Sequence, residues 1–219
     1  MYGITRTGVR FVLSNSADPA RTADASAWYD TYTAAITGPG MLANVFRLEN
    51  PEAAETGQDA RFAAVYDIVS PDPAAAWPAT ESSTSYPKDL FDDPRAALIV
   101  PALRGSWASV GTVASGGRPG RLTGAYLELS DEGDDVARYE WARRVVGTGL
   151  FYAVTRFRLI EGFPEPAQWL EIYETADAAP LTAYGRAVAA LAPATPDPRV
   201  KKRQSGSYRL ISSHDATAA

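Results

Sequence analysis

Asp30 stands between Tyr29 and Tyr32 on a stretch of helical periodicity. A carboxyl group set among aromatic rings has its ionised form disfavoured, so its pKa rises and it becomes a general acid. The alternative is a plain surface or capping carboxylate. Tyr29 and Tyr32 read as core or pocket walls, because a phenol needs a large shift to exchange protons near pH 7. The chain has one histidine, His214, and no cysteine. Cysteine nucleophiles, disulfides and thiolate metal sites are therefore excluded, together with histidine-rich metal centres. A Ser-His-Asp triad would rest on His214, which reads as a surface residue near the end of the last strand. Asp92-Asp93 lacks the spacing of a calcium loop and reads as a helix start. The sequence has no phosphate-cradling Gly-x-x-x-x-Gly-Lys, no strand-linked Gly-x-Gly-x-x-Gly and no Gly-x-Ser-x-Gly. Nucleotide binding and hydrolase chemistry of that kind have no support.

Charge narrows the partners. Lys and Arg total 21 against 26 Asp and Glu, a net charge of -5. A general nucleic-acid binder needs a basic footprint to displace counterions, so none is expected. Lys201-Lys202-Arg203 reads as the solvated start of a strand. No apolar run approaches the length of a membrane span, and no leader pattern opens the chain, so a soluble, cytoplasmic protein without a membrane partner is expected. With 46% hydrophobic residues over 219 positions, there is material for one large core or two small ones.

The elements that must position these side chains come in the same order twice. In the first half, Val9 to Ser14 alternates as a strand, and Thr22 to Thr37 is a helix whose Trp28, Tyr32, Ala35 and Ile36 share a face. Gly38-Pro39-Gly40 ends it. Strands follow at Leu42 to Glu49 and Arg61 to Val69. The Pro/Ala-rich stretch Pro71 to Ala102 holds a weak helix at Asp72 to Ala79 and another near Pro94 to Leu103, before a strand at Ser106 to Val113. The second half has a strand at Arg121 to Ser130 and a helix at Asp134 to Val146. The inner side of that helix is read as Val136, Tyr139, Arg143 and Val146. Strands at Phe151 to Glu161 and Ala167 to Glu174, a helix at Pro180 to Leu191 and a strand at Lys202 to Ser213 complete it. Trp28 corresponds to Trp141, Phe46-Arg47-Leu48 to Phe157-Arg158-Leu159, Tyr66-Asp67 to Tyr173-Glu174, and Gly105-Ser106-Trp107 to Gly206-Ser207-Tyr208. Gly116 to Gly120 is the linker.

Each half is then a βαββαβ, ferredoxin-like unit. The expected fold is α+β: two tandem ferredoxin-like units, residues 1–115 and 121–213, with 214–219 a frayed tail. Each sheet carries helices on one face, and the two bare faces bury each other in an intramolecular α+β barrel. The more apolar strand face, with Leu127, Leu129, Phe157, Leu170 and Ile172, and Phe11, Leu13, Phe46 and Val65 in the first half, is assigned to the helices. The mixed face, with Tyr126, Glu128, Arg156, Arg158, Trp169, Glu171 and Tyr173, and Arg10, Arg47 and Tyr66, is assigned to the barrel interior. Buried charges persist only when paired, so Glu128, Glu171, Arg156 and Arg158 are expected to pair with each other. They are either a salt-bridge network that docks the halves or part of a polar ligand site lined by Tyr66, Tyr126, Trp169 and Tyr173. Trp107 is either a packed strand tryptophan or a cleft wall.

Trp28-Tyr29-Asp30, followed by Gly38-Pro39-Gly40-Met41 and by Arg47 in the next strand, resembles the EthD-like branch of the dimeric α+β barrel superfamily. The resemblance is best over residues 9 to 70. Members carry a histidine five residues after the tryptophan and a proline seven after it; here those positions hold Thr33 and Ala35. The resemblance implies a small enzyme that works without metal or organic cofactor on hydrophobic, aromatic or polyketide-like molecules, as a monooxygenase, dehydratase or cyclase. For such an enzyme the residues themselves offer Asp30 as acid or base, Arg47 and Arg158 as holders of developing negative charge, and Tyr66 and Tyr173 as orienting groups, with Tyr32, Trp107, Tyr126 and Trp169 as further substrate walls. The absent histidine, a residue suited to proton transfer near neutrality, leaves a second reading open: a non-catalytic binding or structural protein of the same fold. Fusion of two units permits a monomer or a weak homodimer.

Overall fold

The computed structural model describes residues 6–37, 42–50, 52–53, 60–116, 122–131, 134–191 and 202–215, the side chains of 202 and 203 excepted. Its strands are β1 (Gly8–Ser16), β2 (Leu42–Glu49), β3 (Phe62–Ile68), β4 (Ile99–Ala114), β5 (Gly124–Ser130), β6 (Ala153–Phe163), β7 (Trp169–Thr175) and β8 (Lys202–Asp215). Its helices are α1 (Thr22–Ile36), α2 (Pro73–Ser82), α3 (Asp135–Gly147) and α4 (Pro180–Leu191). The helix starts follow from local chemistry. Asp72 accepts from the Ala74 and Ala75 amides at the head of α2, and Asp134 from the Val136 and Ala137 amides at the head of α3, each satisfying donors that the helix itself leaves open.

All eight strands close into one antiparallel barrel in the order β1-β3-β2-β8-β5-β7-β6-β4. Each half supplies a four-stranded sheet in the order 4-1-3-2, the ferredoxin-like arrangement. The two seams join halves: β2 pairs with β8, and β4 with β6. Closure leaves neither sheet with a free edge.

Paired glycines make these sheets possible in both halves. A Cβ on Gly8 would lie 2.6 Å from the Trp107 carbonyl oxygen and 3.0 Å from Pro73 of α2; one on Gly124 would lie 2.5 Å from Pro180 of α4. Gly105 lies under the Trp107 ring and Gly206 under the Tyr208 ring, where a Cβ would come within 2.6 and 2.4 Å. The matched Gly-Ser-aromatic segments thus do the same job in each sheet: the glycine makes room for the ring two residues on.

The two strand faces lie the opposite way round from the expectation. The apolar set Phe11, Leu13, Phe46, Leu48, Val65, Leu127, Leu129, Phe157, Leu170 and Ile172 fills the barrel interior together with Trp107 and Tyr208. The mixed face lies outward, under the helices, with Tyr66 beneath α1 and α2 and Tyr126 and Tyr173 beneath α3 and α4. The interior of a closed eight-stranded barrel is just wide enough for its own side chains, so it takes the residues without charge. The helix layer tolerates charge because a helix brings its own partners. Arg138 of α3 shows this. It is buried and turns α3 so that Trp141, Ala142, Val145 and Val146 face the sheet, while Val136 and Tyr139, expected inside, are 74% and 51% exposed and Arg143 is exposed too. In α1 the buried face likewise takes Tyr29 and Thr33 in place of Ala35.

Three boundaries also differ. Pro94–Leu98 is a 3-10 turn capped by Asp93, and β4 begins at once with the β-branched Ile99-Val100, which pair with Ser16 and Asn15. β8 runs to Asp215, so His214 belongs to the strand and not to a frayed tail. Gly38-Pro39-Gly40-Met41 and most of the 116–120 linker lie outside the described residues.

Candidate active site under helix α1

Arg47 sits on the outward face of β2, directly below α1. Its Nη1 donates to the Ser26 carbonyl at 2.9 Å and its Nη2 to Ser26 Oγ at 3.0 Å, and its guanidinium lies 5.0 Å from the centre of the Tyr29 ring. Burial pulls the Arg47 pKa below its ordinary value. Asp30, one turn further along α1, gathers three donors on Oδ1: Ser212 Oγ at 2.5 Å, His214 Nε2 at 3.0 Å and Arg47 Nη1 at 3.5 Å. Ser212 and His214 arrive on β8 because the β2–β8 seam sets Arg47 opposite Ser212 and Val45 opposite His214. The first half's helix is therefore completed by the last strand of the second half.

The Asp30 carboxyl is held below the usual carboxylate range. Its partial burial pushes the other way, but the hydrogen bonds from Ser212 and His214 and the charges of His214 and Arg47 outweigh it. This reverses the expected general acid: Asp30 is ionised and half-exposed, not neutral among rings. An ionised carboxylate only accepts hydrogen bonds. The His214 nitrogen facing Asp30 therefore carries the hydrogen, and in the neutral ring the lone pair is left on Nδ1.

Behind these groups lies a phenol pair. Tyr29 and Tyr66 share a hydrogen bond of 2.7 Å between hydroxyls, and burial raises the pKa of both. A narrow cleft of about 320 Å³, counted to its open mouth, runs past Tyr29, Ser26 and Arg47 between α1 and the strands, with Ser14, Phe62 and Ile99 on its walls. Most of that volume is taken up by its walls and open mouth, leaving room for about one water.

The nominated residues do not form one site. Asp30, Arg47, Tyr32 and Tyr66 share the layer under α1 and α2. Tyr126 and Tyr173 lie in the corresponding layer of the other half. Trp107 is a barrel-core residue, fully buried, with its indole N–H donating to the Ala167 carbonyl. Arg158 is exposed, its guanidinium 5.9 Å from the Trp169 ring centre, and it takes no part in the expected charge cluster. Arg138, which sequence reasoning passed over, takes that place. Its Nη2 donates to Glu128 Oε2 at 2.6 Å and to Glu171 Oε2, its Nε to Glu171 Oε1 at 2.9 Å, and the Tyr173 hydroxyl joins them. Arg156 approaches Glu171 at 3.3 Å and lies 3.9 Å from the Trp169 ring centre. Burial opposes the Arg138 charge, but Tyr173, Glu171 and Glu128 together hold it firmly protonated. The sequence signal that was available for His214 was its register: an outward position on the strand that must border β2.

The fold has relatives. No protein-family model matches the chain, and no curated protein matches it. Solved structures do. An anthrone oxidase-like protein is 11% identical, with 97% of this chain and 94% of that one covered and a TM-score of 0.51. A protein from Lactobacillus acidophilus NCFM named a "putative monooxygenase" is 10% identical, with 97% of both chains covered and a TM-score of 0.55. A mutant chlorite dismutase from Candidatus Nitrospira defluvii is 9% identical, with 95% and 92% covered and a TM-score of 0.56. This chain shares their fold: the α+β barrel is common ground. Among the described residues no helix is long and apolar enough to cross a membrane.

Proposed function

We propose that the chain is a monooxygenase-type enzyme for a small hydrophobic or aromatic molecule, with its reacting centre at His214, beside Arg47 and the Tyr29–Tyr66 pair. The observation that carries this reading is the arrangement on Asp30, which orients an imidazole with its basic nitrogen turned away from the carboxylate. The names of two fold relatives, anthrone oxidase-like and monooxygenase, support the reaction class. The EthD-like resemblance of Trp28-Tyr29-Asp30 supports it too: a histidine from β8 stands in for the one missing at Thr33.

In a reaction of this class without a cofactor, as the resemblance implies, the substrate itself reduces dioxygen. An acidified C–H gives its proton to His214 Nδ1. The carbanion then reduces O₂; one oxygen atom stays in the product as a carbonyl, and the other leaves as water with the two substrate hydrogens. Arg47 offsets the developing enolate charge through the low-dielectric layer under α1. Asp30 is here a positioning residue.

The test is oxygen uptake with an anthrone as substrate. His214→Ala should lower kcat/KM by about 10²- to 10⁴-fold while the fold is kept, and Asp30→Asn should lower it less. A wild-type chain that takes up no oxygen and yields no product sinks the proposal. One observation favours a second reading, a non-catalytic ligand-binding or structural protein: the cleft has room for little more than a water molecule as it stands.

A further inference from the structure

Between α2 and β4 the chain makes two 3-10 turns, Lys88–Asp92 and Pro94–Leu98, which lie over α1. Beneath them are five large rings, Trp28, Tyr29, Tyr32, Tyr66 and Trp77, each under 10% exposed. The covering stretch itself is built differently. From Ser83 to Leu98 only Leu98 is buried, and Phe91 is 50% exposed. Its backbone bonds are mostly its own: Tyr86 to Ser83, Lys88 to Tyr86, Leu90 to Pro87, Asp93 to Leu90 and Ala96 to Asp93. Arg95 and Asp93 pair within it. Two side-chain hydrogen bonds fasten it to α1, from the Trp28 indole to the Leu90 carbonyl at 2.9 Å and between the Tyr32 and Tyr86 hydroxyls at 2.9 Å. Across to α1, Phe91 sits 5.7 Å from Trp28 and 5.5 Å from Tyr32, centre to centre; Leu90 and Ala96 pack on the same layer, and the Ala17 amide donates to the Leu98 carbonyl at the far end.

A segment that keeps its own hydrogen bonds and buries little apolar surface opens at low free energy. What it covers is unlike a plain core. The Trp77 indole N–H and Arg10 Nε are buried without a hydrogen-bond partner, and the Arg10 guanidinium lies 4.8 Å from the centre of the Trp77 ring. Buried donors without acceptors are rare and call for a missing partner. We propose that Ser83–Leu98 is a displaceable cover whose Tyr86, Leu90 and Phe91 occupy the groove between α1 and α2, and that a flat aromatic molecule carrying an acceptor oxygen displaces them to stack on the layer below. The cleft at Arg47 is walled by α1 and the strands and by no residue of the cover. Tyr29, which lines that cleft and belongs to the ring layer, joins the two. The inference places the binding step of the proposed reaction but is read without turnover, so either can fail alone.

The full chain is examined by hydrogen exchange and by calorimetric titration with 2-naphthol. Amides of 86–96 should exchange at least tenfold faster than those of α1 and β3, and 2-naphthol should bind. Phe91→Ala removes the two ring contacts to α1 at a half-exposed site and should tighten 2-naphthol binding about tenfold by raising the open fraction. Tyr86→Phe, which loses only a hydroxyl bond, should tighten it less. The proposal is overturned if 86–96 exchanges together with α1, if 2-naphthol binds to neither wild type nor Phe91→Ala, or if Phe91→Ala binds it no more tightly than wild type.

Discussion

At the scale of single residues, the structure changes what Asp30 is for. Its three donors arrive from α1's own layer and from β8, and they stabilise the carboxylate. The sign of the pH effect follows. A carboxyl whose folded pKa is depressed adds stability above its unfolded value, near 4, and loses it as pH falls through the folded value. Asp30→Asn should therefore flatten the acid limb of the stability curve below about pH 4 and leave the slope above it unchanged. Urea unfolding between pH 2.5 and 7 measures this; a mutant with the wild-type acid slope contradicts the assignment. The sequence showed Asp30 and its aromatic neighbours but not this role, because the deciding partners are 182 and 184 positions away. Arg138 was invisible for a related reason. An arginine in an otherwise amphipathic helix reads as solvent-facing unless the two carboxylates beneath it are already assigned to the helix side.

At the scale of elements, the consequence is that α3 is seated by charge and α1 by rings. Trp28 stacks on Tyr32 at 5.4 Å in the first half; in the second, Arg138, one turn before the corresponding Trp141, bridges Glu128 and Glu171, each 5% exposed or less at its side chain. Removing the arginine takes from Glu128 and Glu171 the guanidinium they share and leaves Arg156, 3.3 Å from Glu171, as the cation beside them. Arg138→Met should destabilise by about 3–5 kcal/mol, whereas the triple change with Glu128→Gln and Glu171→Gln should recover most of it. Denaturant midpoints decide this, and a single mutant within about 0.5 kcal/mol of wild type would show that the network is ornamental. Element order and most strand positions were legible from alternation and from Gly/Pro punctuation. Face assignment was not. Period-two patterning says which residues share a side; it does not say which side faces a second sheet and which faces a helix. Both sides here carry enough apolar surface to be buried, so the deciding fact is that helices deliver Arg138 and Ser26 to the charges, and a barrel interior delivers nothing.

At the scale of the whole molecule, the two seams already use the edges through which a single unit would pair with another copy. We expect a monomer of 23.4 kDa by sedimentation at micromolar concentration; a dimer would require a surface other than these seams. The halves are further tied by Arg6. Its Nε lies 2.8 Å from Asp67 of β3 and its Nη2 2.8 Å from Glu174 of β7, so one guanidinium neutralises a carboxylate from each half. Even so, burial and the nearby Glu174 raise the Asp67 pKa above its ordinary value. Arg6→Ala would leave the two carboxylates facing each other with little water, and one of them would then take up a proton on folding. The native state would bind more protons than the unfolded chain, so the mutant's stability should fall as pH rises. The deficit against wild type should be about 3–5 kcal/mol near pH 7 and should shrink as pH is lowered toward 5. Thermal unfolding of both proteins across that range supplies the answer. A pH-independent deficit would mean that Arg6 acts through packing against Phe157, whose ring centre is 5.8 Å from the guanidinium, and not as the ion that joins the halves.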